Sequence, residues 1–368
     1  YLGCKDAAGN YATKSITINK YIVTNVLEKI DGTTGTYTNA HYERGTTGTY
    51  YVKSGTTLTL TSLYTIPTGA TANTFLGYST THTSNAVTPS KTNPTVSTSN
   101  TAAYYMWFNR STFALTLNKG TGISGVSGAG TYKYGKSVSI TATAGTGYTF
   151  ANWSKSAGNT PASTTSTSTT VTITQATTLQ ANATANKYTI TLNKNGATNT
   201  PTASVTATYN SATISPATIT LPERKYTVAI NANSKGATIS STTTLTTNYV
   251  FIGWYTAGKS LYVIDTASTP SFIASVSGYT DANRKWIMAG AETLYAEWES
   301  TAVTLPTISK TGYTCKWNTK SDGTGTDYNS GASYTPTANT TVYAKCTANT
   351  YTITLNKNGA TNTPTASV

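Results

Sequence analysis

The sequence predicts a mainly β chain, a tandem array of small sheet modules with little or no helix, on three observations. Nearly a quarter of its 368 residues are threonine and 27 are tyrosine, types that suit a pleated, half-buried surface and lose rotamer freedom in a helix. Short stretches with an apolar residue at every second position alternate with Gly, Asn, Pro and Ser clusters, the pattern of strands bounded by turns. Finally, YTITLNKNGATNTPTASV stands at Tyr188–Val205 and again, unchanged, at Tyr351–Val368. Such duplication marks a chain built from modules, and this length exceeds what a single core usually serves.

The elements follow in order. Gly3–Ile18 (GCKDAAGNYATKSITI) reads as the final strands of a preceding domain, with Asp6 at a turn. Leu58 and Leu60 give a short alternation, TFLGY (Thr74–Tyr78) an aromatic strand and YYMWF (Tyr104–Phe108) a closing one. From Phe113, FALTLNKGTG is a degenerate copy of the duplicated segment, with Phe113, Leu115 and Leu117 on one face. Val138, Ile140 and Ala142 repeat the pattern, and GYTFANW (Gly147–Trp153) is the next aromatic strand. The polar run PASTTSTSTT (Pro161–Thr170) is a loop before VTIT, and TLQANAT (Thr178–Thr184) closes that module.

In the first full copy Tyr188, Ile190 and Leu192 share a face, and KNGA (Lys194–Ala197) is a hairpin turn because Asn-Gly tolerates positive φ. Tyr226, Val228 and Ile230 alternate likewise. YVFIGWY (Tyr249–Tyr255) and GYTCKW (Gly312–Trp317) are aromatic strands, and TLYAEW (Thr293–Trp298) and TVYAKC (Thr341–Cys346) closing ones. One element of each kind per unit sets modules at 21–110, 111–186, 187–300 with an insertion, and 301–349. The segment 350–368 reads as the first hairpin of a further repeat, so the array is expected to continue in both directions.

Composition removes several classes of function. His41 and His82 are the only histidines, and no Asp or Glu falls between Glu43 and Glu223. That leaves little for a histidine-based triad or a histidine-rich metal site, and no carboxylate acid–base pair across nearly half the chain. The net charge is +13, yet the cations are dispersed along the chain rather than gathered in a basic run. The footprint of a nucleic-acid binder is therefore missing, and a diffuse, salt-sensitive attraction to anionic glycans or wall polymers is expected instead. No apolar run reaches the length of a membrane-spanning helix, and no phosphate-loop, dinucleotide or nucleophile-elbow motif occurs. No cofactor and no enzymatic activity are expected.

The stretch Gly312–Asn349, GYTCKWNTKSDGTGTDYNSGASYTPTANTTVYAKCTAN, resembles the Listeria-Bacteroides repeat, or internalin B-repeat family. Its members run as an NG-type hairpin, a GYTFxGW strand, a DGxGxxY turn and a closing TLYAxW strand. The same signature is clear at YVFIGWYTAG with TLYAEW and divergent in the first two modules. Residues 1–20 are similar to the end of a bacterial immunoglobulin-like surface domain. The resemblance implies β-grasp-like modules on secreted or wall-attached bacterial proteins. The fourth module departs from it, carrying Cys315 for the family's Phe and Cys346 for its Trp. Those two aromatics share one core in the family pattern, so the departure implies a Cys315–Cys346 disulfide. Closing a loop of about 30 residues stabilises by about 3.5 kcal/mol in the chain-entropy picture. Cys4 is left without a partner within the chain, and a disulfide suits an extracellular setting.

Other candidate residues read mostly as scaffold. Asp322 and Asp327 in SDGTGTDY are turn residues rather than a calcium cage, which needs six to eight oxygens. Glu292, Glu297 and Glu299 could serve a Lys–Asn isopeptide bond only beside a buried Lys–Asn pair. Trp107, Trp153, Trp254, Trp298 and Trp317 belong to the recurring strands and read as core. Trp286, in DANRKWIMAG, falls outside that pattern and is the candidate for an exposed ligand-binding aromatic. The alternative is a short helix packed by Trp286, Ile287 and Met288. The expected function is a non-enzymatic stalk, display and adhesion segment of a long bacterial surface protein. A carbohydrate or wall-polymer binding module, and a subunit of an extracellular filament or phage fibre built from neighbouring copies, are the alternatives.

Overall fold

The computed structural model describes residues 2–5, 7, 11–14, 18–28, 30–31, 42–53, 55–59, 64–81, 88–95, 101–363 and 365–367. Asp6, His41, Leu60 and His82, and the side chain of Cys4, lie outside the described residues. The protein is mainly β: the described residues form strands in several sheets, with two single 3-10 turns at Ala72–Thr74 and Ala257–Lys259 and no α-helix. Near the N-terminus Leu2–Lys5 and Tyr11–Lys14 form an antiparallel ladder.

One arrangement occurs four times. An opening strand lies parallel to a closing strand, whose other edge carries an aromatic strand. In the first unit these are Ile18–Glu28, Thr101–Phe108 and Phe75–Ser79. In the second they are Thr112–Lys119, Thr177–Ala185 and Tyr148–Ala157. In the third they are Lys187–Asn193, Glu292–Glu299 and Leu245–Tyr255, and in the fourth Arg224–Asn231, Thr340–Ala348 and Tyr313–Asn318. A parallel pair cannot be joined by a tight turn, so each unit places its intervening chain between opening and closing strands.

The alternation read from the sequence is the alternation seen. Val138, Ile140 and Ala142 are buried along Ser137–Ala144 while their neighbours face outward. Ile190 and Leu192 do the same in Lys187–Asn193, as does Val228 in Arg224–Asn231. In the second unit a sheet of Ser168–Thr172, Ser137–Ala144 and Ile123–Ser127 shares one core with the main sheet, built on Leu115, Ile140, Trp153, Ile173 and Leu179. The polar run at 161–170 closes over Trp153: Thr164 O accepts its backbone N–H at 2.7 Å and Ser166 O its indole N–H at 3.1 Å.

Strands from the segments 187–300 and 301–349 share a single ten-stranded sheet. The fourth unit takes its opening strand, Arg224–Asn231, from within the first of these segments. That strand pairs on one edge with Leu245–Tyr255 of the third unit and on the other with Thr340–Ala348. YTVAINANSKG (Tyr226–Gly236) has the same alternation and Asn-containing turn as YTITLNKNG, so it is equipped to act as an opening hairpin. Chain order is therefore opening, opening, aromatic, closing, aromatic, closing, and the third and fourth units are interleaved.

Candidate functional site

The fourth unit concentrates most of the distinctive chemistry. Cys315 and Cys346 stand directly opposite each other in the ladder between Tyr313–Asn318 and Thr340–Ala348 and are joined as a disulfide, with Cα atoms 4.1 Å apart. Both pack against a core of Val228, Leu305, Ile308, Trp317, Val342 and Ala344. The Trp317 indole N–H donates to Pro306 O at 2.8 Å. The covalent link occupies the place where the resemblance implied two packed aromatics.

The opposite face of the same strands is polar. Lys316 and Lys345 are direct cross-strand partners, a like-charge juxtaposition that is unfavourable unless a counter-charge intervenes. Asp327 supplies it: its carboxylate accepts from Lys345 Nζ at 3.1 Å and from the fully buried Asn318 amide. The Asn318 bond, then Lys345, hold the Asp327 carboxyl below the ordinary carboxylate range. Lys316, Asp327 and Lys345 line a groove of about 310 Å³ with Thr314 and Thr347. Asp322 accepts the Thr324 backbone N–H at 2.9 Å and its hydroxyl at 2.7 Å, and those bonds lower its pKa as well. Asp322 thus orders the SDGTG turn while Asp327 ties Asn318 to Lys345, and no metal-holding cluster of His, Cys, Asp or Glu occurs among the described residues.

Trp286 is not an exposed aromatic. It is 0% exposed, packed against a tilted Phe272 ring and edge-to-face with Tyr279 at ring-centroid distances of 5.3 and 5.9 Å. The segment is not a helix either: Trp286 bridges to Thr280, and its backbone bonds Ser211 O at 3.0 Å and Asn210 N at 2.7 Å. A 27-residue stretch between Tyr262–Ile264 and Glu292–Glu299 has too few regular strands to bury its own apolar groups, so Trp286 fills the third unit's core with Val263, Phe272 and Leu294. Among the described residues no ion pair joins Glu292, Glu297 or Glu299 to a lysine: Glu292 accepts the Tyr279 hydroxyl at 2.8 Å, and Glu297 the Asn195 amide at 3.4 Å. Burial, then that Glu292 bond, raise the Tyr279 pKa. Trp107, Trp153, Trp254 and Trp317 are buried, and Trp298 is half-buried.

Residues 113–187 match the family model of the divergent InlB B-repeat domain, and residues 289–345 that of the Listeria-Bacteroides repeat domain. Both segments are repeats of this family. Repeats of this kind are typical of bacterial surface proteins and generally non-catalytic. Neither match reaches residues 1–20. No curated protein and no solved structure matches the chain.

Within the repeats the structure shows a contact that sequence reading missed. The turn after each of the last three opening strands clasps its closing strand at the same alanine carbonyl. In the second repeat Gly120 N–H donates to Ala181 O at 2.8 Å. In the third, Asn195 Nδ2 donates to Ala296 O at 2.8 Å while Asn195 O accepts from the Trp298 indole at 3.0 Å. In the fourth, Asn233 Nδ2 donates to Ala344 O at 3.2 Å. Asn195 and Asn233 hold φ of 41° and 51°, which asparagine tolerates better than most residues. The signal was present in the recurring Asn-x-Asn of LNKNG and INANS, of which the sequence reading took up only the first, as the KNGA turn.

Proposed function

We propose that the chain is a non-enzymatic stalk and display segment of an extracellular bacterial surface protein. The observation that carries this reading is the fourfold recurrence of one opening–closing–aromatic unit. Much of the chain's apolar surface goes into small cores joined in series, the design of a spacer rather than of a single enclosed reaction chamber. The disulfide in the fourth unit suits an oxidising exterior. No helix among the described residues is long and apolar enough to cross a membrane.

A wall-polymer binding module is the second reading, favoured by the Lys316–Lys345 groove. Binding of the purified chain to acidic glycans and wall polymers, at low and high salt, separates the two. A stalk binds nothing that survives high salt. Salt-resistant binding that falls on Lys316→Ser with Lys345→Ser overturns the stalk reading in favour of a polymer-binding site.

A further inference from the structure

An intramolecular Lys–Asn amide needs an amine, a carboxamide and a carboxylate that touches both. Among the described residues no ion pair brings a lysine to Glu292, Glu297 or Glu299. The three groups meet instead in the fourth unit, at Lys345, Asn318 and Asp327. Lys345 Nζ donates to both Asp327 carboxylate oxygens at 3.1 Å, and Asn318 Nδ2 donates to one of the same two, Oδ1. The sheet explains the encounter. Asn318 lies opposite Tyr343 in the ladder between Tyr313–Asn318 and Thr340–Ala348, which makes Lys345 its diagonal neighbour, a spacing that a long side chain spans. Asp327 comes from the adjoining strand Asp327–Asn329, where it is the direct partner of Asn318.

Asn318 is held in the way an electrophile is held. It is fully buried, and its Oδ1 accepts the backbone N–H groups of Lys320 at 2.9 Å and Gly325 at 3.0 Å. Two backbone donors on one carbonyl oxygen stabilise the negative charge of a tetrahedral intermediate. Nδ2 also donates to Gly323 O at 3.2 Å and Gly325 O at 3.0 Å, bonds that a departing nitrogen gives up. The Lys345 and Asp327 side chains are 38% and 32% exposed, so the leaving group has a path to solvent.

The geometry points to a spontaneous isopeptide bond between Lys345 and Asn318, with Asp327 as the proton carrier. Asp327 takes a proton from the Lys345 ammonium, and the freed Nζ lone pair attacks Asn318 Cγ. The charge that develops on Oδ1 is met by the Lys320 and Gly325 N–H groups. The Cγ–Nδ2 bond then breaks as protons pass through Asp327 to Nδ2. Nζ loses two protons and Nδ2 gains two, so a lysine ammonium and an asparagine amide become a secondary amide and ammonium, with no oxidant or cofactor. The Asn318 bond, then Lys345, keep the Asp327 carboxyl a weak base, so the reaction is slow and a fresh chain is unlinked. Once formed, the bond ties the two strands on their polar face as Cys315–Cys346 ties them on the core face. It also removes one charge from the unfavourable Lys316–Lys345 pairing, and it survives reductant where the disulfide does not.

The test ages the purified 368-residue chain in buffer and follows its mass in reductant. The expected result is a growing species lighter by one ammonia. An Asn-Gly turn such as Asn195 with Gly196 sheds the same mass when it cyclises, so tryptic peptides of the reduced chain locate the loss. The expected product joins Trp317–Lys320 to the peptide that begins at Ser321, uncleaved after Lys345. Lys345→Arg keeps the ion pair but lacks the amine and should abolish the product, and Asp327→Asn should slow it by about a hundredfold. Formation of the Cys315–Cys346 disulfide in each variant reports that the ladder has folded. Full mass after prolonged ageing overturns the proposal, as does a loss that maps elsewhere with cleavage after Lys345 intact. Linking at an unchanged rate in Asp327→Asn overturns it too, because the carboxylate is then no part of the chemistry. None of these outcomes bears on binding to wall polymers, so this inference and the stalk reading fail separately.

Discussion

Trp286 and the Cys315–Cys346 pair make opposite contributions to their cores, one by volume and one by covalent constraint. Trp286→Ala removes a fully buried ring from between Phe272 and Tyr279, so chemical denaturation of the third unit should show a loss of about 3–5 kcal/mol. Trp286→Phe should cost clearly less, because the buried indole N–H has no hydrogen-bond partner among the described residues to forfeit. Reduction of the disulfide should destabilise the fourth unit by about 3–4 kcal/mol, read as a lower melting temperature in reductant that Cys346→Ser reproduces without it. Asp327 adds a pH dependence. Its carboxyl titrates below the ordinary value in the folded state, so the folded protein binds fewer protons there than the unfolded chain. That contribution is full above about pH 3.9 and is lost as pH falls through the depressed folded value. Asp327→Asn should therefore flatten the acid limb of a melting-temperature series.

At the scale of the element, the aromatic strand carries a recurring irregularity. In the first and third units its ladder with the closing strand slips by one residue, between Phe75 and Gly77 and between Phe251 and Gly253. The two glycines hold φ of 130° and 126°, and a Cβ there would meet Ser90 O at 2.3 Å or the Tyr262 ring at 2.2 Å. A bulge that turns the following aromatic into the core thus depends on glycine at these positions. In the fourth unit Lys316 precedes Trp317 directly and the ladder runs without a slip, which puts Cys315 squarely opposite Cys346. Gly253→Ala should destabilise the third unit by more than about 1 kcal/mol, and a denaturant titration checks it. A change of a few tenths would show that Tyr262 simply moves aside.

For the whole molecule the interleaving of the third and fourth units matters most. The protein forms two compact units, residues 1–184 and 185–368, and the second contains one continuous ten-stranded sheet. Residues 187–349 should therefore unfold in a single transition in calorimetry. A fragment starting at residue 301 lacks the strand Arg224–Asn231 that pairs with Thr340–Ala348, and it should show no cooperative melting. Two separate transitions from residues 187–349 would mean that the pairing of Arg224–Asn231 with Leu245–Tyr255 contributes little cohesion.

Local pattern by itself determined much of this protein. The β class, the aromatic and closing strands, the inward faces at Val138/Ile140/Ala142 and Ile190/Leu192, and the disulfide partners were legible, because strand alternation and a paired departure from a repeat signature are local properties; the opening strand Ile18–Glu28, which crosses the boundary read at residue 20, was not. The tertiary structure alone decided which opening strand joins which closing strand. YTITLNKNG and YTVAINANSKG carry the same alternation, so either could pair with either closing strand, and only the path of the chain through the shared sheet chooses. It likewise decided the fate of Trp286. An aromatic outside the repeat pattern looks the same in sequence whether it faces a ligand or a core, and the apolar residues that enclose it, Val263, Phe272 and Leu294, come from elements brought together only by folding. In the internal copy of YTITLNKNGATNTPTASV the alternation is local, while the burial of Ile190 and Leu192 depends on the strand Glu292–Glu299 that folding brings beside it.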